Sequence, residues 1–139
     1  MSDHKKRPTL LTWNSGVNLS NTPDTPNYLR NGSMVTEINE NSTKSVMMKS
    51  GKISKLTVTL VPSNGNGDVS PSPGIRSFIV RKNGQNTGLS VTLSGNATSG
   101  QDDTHEINVH KYDTISLMHN ASGNPGQNAL GIASAELRY

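Results

Sequence analysis

Two histidines and two neighbouring aspartates are the residues whose types and spacing come nearest to a catalytic or metal site. His105 and His110 lie five positions apart, so on one β-strand they face opposite sides and cannot bind one metal ion together. His105 and Asp103 share a face, but the sequence offers no third ligand at a matching spacing. Asp102 and Asp103 lack the spaced acidic pattern of a calcium loop. We therefore predict no metal ion here.

Motifs for nucleophilic catalysis and nucleotide binding are also missing. A Ser–His–Asp hydrolase places its serine in a sharp turn such as Gly-x-Ser-x-Gly, and no such turn occurs in the sequence. Gly65, Gly67 and Gly74 stand among prolines, without the Lys-Ser/Thr pair of a phosphate-binding loop. We predict that the protein is not an enzyme and has no catalytic residue and no cofactor.

The chain around the histidines alternates as antiparallel strands do. Residues 76–82 read as one strand, and Asn83-Gly84 tolerates the positive φ angles of a tight hairpin. Residues 87–93 return with apolar side chains on one face and polar ones on the other. Further strands are predicted at residues 9–13, 33–38, 45–49, 52–61, 105–110, 114–118 and 129–139, and loops at residues 18–32, 62–74, 95–100 and 120–127. About eight to ten strands without a helix predict an antiparallel β-sandwich or barrel.

Length and composition favour one domain with a thin apolar core. Hydrophobic residues make up 30% of the 139 residues, with one Trp and one Phe. The formal net charge is +3, and three basic residues against one acidic residue give residues 1–8 a charge of +2. We expect residues 1–8 to be a disordered basic leader and residues 9–139 to form the domain. The domain shows no cluster of Lys and Arg interleaved with aromatics, so nucleic acid is an unlikely partner.

The sequence contains no cysteine, which excludes a disulfide framework and a zinc site built on thiolates. No apolar run near the N-terminus resembles a signal peptide, and none reaches membrane-spanning length. We expect a chain that is made in a cytosol and does not insert into a membrane.

The last predicted strand has one face made of small side chains, at Gly131, Ala133 and Ala135. Such a face lets another backbone approach closely, either at a subunit interface or inside a sheet covered on both faces. A chain with little apolar material also gains stability from a shared interface. The residues predicted for that interface are Ala129, Gly131, Ala133, Ala135, Leu137 and Tyr139.

Several segments, in a fixed order, carry a resemblance to a known family. They are residues 50–58, 78–84, 89–95, 98–100 followed by 104–105, and 112–117. In that order they resemble the C1q/TNF-like jelly roll, in the small versions found in phages, large DNA viruses and some bacteria. The resemblance implies a compact homotrimer with its C-terminal strand near the threefold axis, serving as a head that binds a receptor or partner protein. Residues 1–44 carry no part of it.

We therefore expect a non-enzymatic viral or phage structural or attachment protein, located in the virion or the host cytoplasm. One alternative is a carbohydrate-binding module, because Trp13, Tyr28 and Tyr112 together with exposed Asn and Asp are residues that lectins use. Another is a virion protein that associates with nucleic acid through its basic N-terminus.

Overall fold

The computed structural model describes residues 8–30, 40, 43–63 and 67–139. These residues form nine β-strands and no α-helix, which confirms the predicted all-β fold. They contain no helical segment long and apolar enough to cross a membrane. The strands are β1 (Thr9–Asn14), β2 (Asn27–Leu29), β3 (Ser45–Val46), β4 (Gly51–Pro62), β5 (Ile75–Lys82), β6 (Gln85–Ser94), β7 (Ser99–Val109), β8 (Thr114–Ser122) and β9 (Ala129–Arg138).

The strands form two antiparallel sheets that enclose one core. The first sheet has the order β1-β9-β4-β7, and the second has the order β2-β8-β5-β6, with β3 also paired to β8. The pairing is nested: β5 pairs with β6, β4 with β7, β2 and β3 with β8, and β1 with β9. The chain therefore resembles one long ribbon folded over on itself, in which the first and last strands meet.

The core is built from the alternating apolar residues of both sheets. Leu56, Val58 and Leu60 on β4 are buried, and the residues between them are exposed, as the period of two predicts. The alternation shifts once, at Lys55, where the register to both neighbouring strands is displaced and φ is 57°. That bulge keeps Ile53 and Leu56 on the inner face although they are three positions apart.

The predicted hairpin at Asn83-Gly84 is present. Lys82 pairs with Gln85, and the two residues between them have φ angles of 52° and 77°. The Asn83 side chain fixes the turn, because its amide oxygen accepts the backbone N–H of Thr114 at 2.9 Å and its amide nitrogen donates to Asp113 at 3.0 Å.

Several predicted boundaries are corrected by strand pairing. The strand predicted at residues 45–49 is only Ser45–Val46, because Met47 bonds to the backbone of a turn, at Tyr112 and Asp113. The loop predicted at residues 95–100 ends earlier, since β7 begins at Ser99 in register with β4.

Two further loops contain strand residues. β8 extends to Ser122 opposite Ile75, and the segment predicted as a loop at residues 18–32 contains β2. In each case a partner strand supplies hydrogen bonds to residues whose composition alone is typical of loops. The strand predicted at residues 33–38 lies outside the described residues, as does the predicted leader apart from Pro8.

Candidate functional site

The residues predicted for the subunit interface lie mostly inside the chain's own core. Ala129, Ala133, Ala135 and Leu137 are buried against the second sheet, whereas Tyr139 is half exposed. At Gly131 an added Cβ would lie 3.2 Å from Leu19, so the close approach is made by the loop between β1 and β2. The small residues of β9 therefore make room for bulky neighbours of the same chain.

The other side of the first sheet, here called the open face, points away from the core. Leu10 and Ile132 are 63% and 45% exposed there, in the part of the chain that the structure describes. Polar hydroxyl and amide side chains surround them, and Glu136 pairs with Lys55 and Arg138 on the same face. Across β1, β9 and β4 its rows are Leu10, Glu136 and Ser54; Thr12, Ser134 and Thr57; and Asn14, Ile132 and Thr59.

The outer side of the second sheet, here called the covered face, is shielded by the chain itself. Met118 is only 8% exposed and Ser116 is buried, although the core residues of β8 alternate with them. Glu40 Oε2 lies 2.6 Å from Arg81 Nε and 2.5 Å from Ser116 Oγ. Burial alone would raise the pKa of Glu40, but hydrogen bonds from Arg81 and Ser116 outweigh it and lower that pKa. Glu40 is therefore a charged anchor on this face.

His105 is paired with Asp102 and not with the predicted Asp103. Its Nδ1 lies 2.8 Å from Asp102 Oδ2, and Asp102 also accepts the backbone N–H groups of Ser90, Thr104 and His105. Burial alone would raise the pKa of Asp102, but these hydrogen bonds hold it well below the usual range. The carboxylate joins β7 to β6, and the only signal of this in the sequence is the histidine three positions away.

The remaining candidate ligands are dispersed. Asp103 accepts a hydrogen bond from Gln101 at 2.7 Å, and the backbone N–H of His110 donates to Asp113 at 2.7 Å. Among the residues that the structure describes, no three His, Cys, Asp or Glu side chains lie close enough to hold a metal ion.

A buried polar network that was not predicted from the sequence lies where β5 begins. Arg76 donates to the carbonyl groups of Ser20 and Gln127 at 3.0 Å, and its Nη1 lies 3.1 Å from His119 Nε2. Because Arg76 can only donate, His119 Nε2 must accept, and His119 Nδ1 then donates to Asn27 Oδ1 at 2.8 Å. This network ties the loops at one end of the sandwich to the second sheet.

Burial sets the charge of both ring and guanidinium in that network. Burial lowers the pKa of Arg76 to about 10, so the guanidinium stays protonated at neutral pH. Burial and the charge of Arg76 lower the pKa of His119 to about 3, so the ring is neutral. The alternation of Phe78 and Val80, extended back by two residues, would have placed Arg76 inside.

An open depression of about 460 Å³, here called the end depression, lies at the opposite end of the sandwich. Its described lining carries the basic side chains of Lys52, His110 and Arg138 and no acidic side chain. Lys52 lies 3.3 Å from the exposed Glu106, and Arg138 lies 3.5 Å from the partly buried Glu136. His110 Nδ1 lies 3.7 Å from Asp113 Oδ2. The residues that line it include Gly51, Lys52, Asn108, His110, Arg138 and Tyr139.

The aromatic residues considered for a lectin occupy different environments. Trp13 is buried and fills the core beside Ala133, so its ring is not available to a ligand. Tyr28 is half-buried on β2. Tyr112 is 67% exposed, has φ of 74°, and lies two residues from His110 in the turn before β8. Tyr139 lies below the Lys49 ammonium group, 5.5 Å from Nζ to the ring centre.

Comparison of the chain with models of known protein families finds no match. A search of curated proteins finds no similar sequence either. The resemblance to the C1q/TNF-like group is carried by the sequence segments alone.

Proposed function

We propose that the protein is a non-enzymatic, homotrimeric β-sandwich head of a viral or phage structural or attachment protein. The observation that carries this proposal is the open face, which leaves Leu10 and Ile132 exposed on a regular four-stranded sheet. A second copy of the chain would cover these side chains and supply apolar burial that a chain with 30% hydrophobic residues lacks. The head would then present its loops and end depression to a receptor.

The nested strand pairing supports a jelly roll of the C1q/TNF-like type. In a jelly roll a folded-over ribbon is rolled so that its strands alternate between two sheets. The orders β1-β9-β4-β7 and β2-β8-β5-β6 follow from such a roll if β2 and β3 together fill one strand position. The threefold symmetry comes from the resemblance, and so does the viral or phage assignment.

The proposed interface is on the open face, because the residues first predicted for it face inward. Its charges are mixed, since Lys55 lies 3.5 Å from Glu136 on the same surface. Mixed charges among hydroxyl groups allow copies of one chain to meet without large repulsion. Tyr139, the one residue of the first set that is half exposed, lines the end depression and not the centre of this face.

Light scattering at micromolar concentration tests the assembly. We expect about three times the chain mass of 14.9 kDa for the unmodified protein. Ile132→Asp should give a folded monomer, because it places a charge at the centre of the proposed contact. Val17→Asp is the matched control, since Val17 is 44% exposed in the loop after β1 and should leave the trimer intact. A monomer mass for the unmodified protein contradicts the trimer, and an intact Ile132→Asp trimer places its interface elsewhere.

The nucleic-acid alternative rests on the basic leader, of which only Pro8 is described. Retention on DNA that is lost with added salt and on deletion of residues 1–8 would favour it. Of the rings on which the carbohydrate alternative rests, Trp13 is buried, Tyr28 is half-buried and Tyr112 is exposed. Binding to glycans by an intact monomer would favour a carbohydrate-binding module over an assembled head.

A further inference from the structure

We propose that the free edge of β1 pairs antiparallel with the same edge of a second copy of the chain. The pairing joins the first sheets of two copies into one continuous sheet. It goes beyond the proposed function and does not depend on the trimer, which is proposed to use the open face. A strand edge forms hydrogen bonds in the plane of the sheet, whereas the open face is one side of that plane.

The free edge follows from the direction of the backbone groups along β1. Each residue of an antiparallel strand points its N–H and C=O to one side, and successive residues alternate. Ser15 donates to β9 at 2.9 Å, whereas Asn14 exchanges two backbone hydrogen bonds with Arg30, at 2.9 and 3.2 Å, on the other side. Leu10 and Thr12 alternate in step with Asn14, so their backbone groups also point away from β9.

These outward backbone groups have no partner in the part of the chain that the structure describes. β1 is the outermost strand of its sheet and is paired there with β9. Of its three outward residues, Asn14 alone has a backbone partner among the described residues. Leu10 and Thr12 therefore leave two N–H and two C=O groups available to an added strand.

A second copy of the chain is the occupant that these residues favour. β1 contains no charged side chain, so two copies of it approach each other without repulsion. In the antiparallel register that places Leu10 opposite Thr12 of the second copy, a twofold axis pairs every free N–H with a free C=O. The edge also accepts an antiparallel residue of its own chain, since Asn14 forms a bridge with Arg30.

The pairing is confined to a short stretch of β1. Pro8 has no N–H to donate, and Asn14 is already bonded to Arg30, so the free groups lie between these two residues. So few backbone hydrogen bonds give a weak contact, with a dissociation constant of roughly a millimolar. A contact of this strength acts where copies are held close together, because their effective concentration is then high.

An NMR dilution series of the ¹⁵N-labelled chain tests the proposal, with the inward amides of β1 as the internal control. At micromolar concentration the amides of Leu10 and Thr12 should exchange with water at least a hundredfold faster than those of Leu11 and Trp13, which point toward β9. Between micromolar and millimolar concentration the amide proton shifts of Leu10 and Thr12 should move along a saturating curve. The shifts of Leu11 and Trp13 should stay nearly constant.

Thr12→Pro should weaken the pairing at least tenfold, measured by the shift of the Leu10 amide. Proline is tolerated on an edge strand where the N–H faces solvent, so the chain should stay folded. Thr12→Val is the matched control: it keeps the N–H and the size of the side chain, and pairing should stay within twofold. The fluorescence of the buried Trp13 reports the fold of each variant. If Thr12→Pro does not fold, the dilution series on the unmodified chain decides.

Three results would overturn the proposal. The first is slow exchange of the Leu10 and Thr12 amides in a species with the mass of a monomer or trimer, which means that the chain covers this edge by itself. The others are shifts that do not change with concentration, and a Thr12→Pro variant that pairs as well as Thr12→Val.

The same series on Ile132→Asp separates the edge pairing from the trimer. This substitution lies on the open face and leaves the edge of β1 intact, so the shifts of Leu10 and Thr12 should persist in a chain that forms no trimer. A monomeric parent whose signals move with concentration ends the trimer alone. A trimer whose signals stay fixed ends the edge pairing alone.

Discussion

The two sheets bury their inner faces alike but differ in how their outer faces are covered. On β8, at the centre of the second sheet, five consecutive residues from Ile115 to His119 are buried. On β9, at the centre of the first, buried residues alternate with more exposed ones along the whole strand. The difference teaches that the chain covers the outer side of one sheet by itself and leaves apolar side chains exposed on the outer side of the other.

The chemistry of the two outer faces agrees with that difference. The covered face holds Glu40, Arg81 and Ser116 in short hydrogen bonds among poorly exposed side chains. The open face has rows of hydroxyl groups, with Ile132 exposed among them, and its ion pairs involve well-exposed cations. A buried hydrogen-bond network is typical of a surface that the chain itself covers. Exposed apolar side chains on a sheet are typical of an interaction surface.

Ala133→Arg, on the inner face of the first sheet, should cause the largest loss of stability. Ala133 is buried beside Trp13 and Val58, so an arginine there places an unpaired charge in the core and should cost about 3–5 kcal/mol or prevent folding. Ser134→Arg, one residue along and on the open face, should change the free energy of unfolding by under about 0.5 kcal/mol in solution dilute enough to dissociate the proposed trimer. Urea unfolding measures both. If the unmodified protein is a trimer and Ala133→Arg is a folded monomer, the inner face of β9 is the interface after all.

Truncation of one apolar residue on each outer face gives the next largest contrast. Met118→Ala should lower the free energy of unfolding by about 2–3 kcal/mol, because Met118 is nearly fully buried. Ile132→Ala should cost under about 1 kcal/mol in solution dilute enough to dissociate the proposed trimer. At higher protein concentration the loss at Ile132 should grow, whereas the loss at Met118 should not. Equal losses at every concentration would mean that the outer faces do not differ.

Acid should destabilise the fold through the second sheet, since His119 lies on the inner side of β8. Burial and the charge of Arg76 lower its pKa to about 3 in the folded protein. Between pH of about 6.5 and 3, His119 is therefore protonated in the unfolded chain and neutral in the folded one. Stability is therefore complete above pH of about 6.5 and falls by about 1.4 kcal/mol per pH unit below it. His119→Gln should remove the uptake of about one proton on unfolding, so the slope should decrease by about 1.4 kcal/mol per pH unit. Urea unfolding between pH of about 7 and about 4.5 measures it. An unchanged slope would show that His119 titrates normally.

Removal of one carboxylate charge from each outer face gives the smallest contrast. Glu40→Gln should cost about 1–2 kcal/mol, because Glu40 accepts hydrogen bonds from Arg81 and Ser116 on the covered face. Glu136→Gln should cost under about 0.5 kcal/mol, since its partners Lys55 and Arg138 are half exposed. Thermal unfolding at fixed protein concentration compares the two. A larger loss at Glu136 would reverse the assignment of the two faces.

The strands and the hairpin were predictable because local chemistry decides them. A period of two in residues 52–61 and the positive φ tolerance of Asn83-Gly84 act within a few residues, whatever the rest of the chain does. The short strand β2 was missed because Asn27 and its neighbours pair only with a distant strand. Pairing over such a separation leaves little trace in composition.

The inner face of β9 could not be assigned from its own residues. Both faces of that strand satisfy a period of two, and the large apolar residues Leu130 and Ile132 lie on the outer one. The small residues point inward because Trp13 and Leu19 fill the space above Ala133 and Gly131. Volume is matched between neighbours in the core, so the face is decided by residues far away in the sequence.

The carboxylate of Asp102 has a consequence for how the protein behaves when it is crowded. β6 and β7 are the outermost strands of their sheets, and outermost strands can add foreign strands and grow into fibrils. Asp102 occupies the N–H of Ser90, which a foreign strand would need on β6. The negative charges of Asp103 and Glu106 on β7 add repulsion between copies that approach by this side. Even at high protein concentration, these features oppose edge-to-edge pairing of β6 and β7 with strands of other copies.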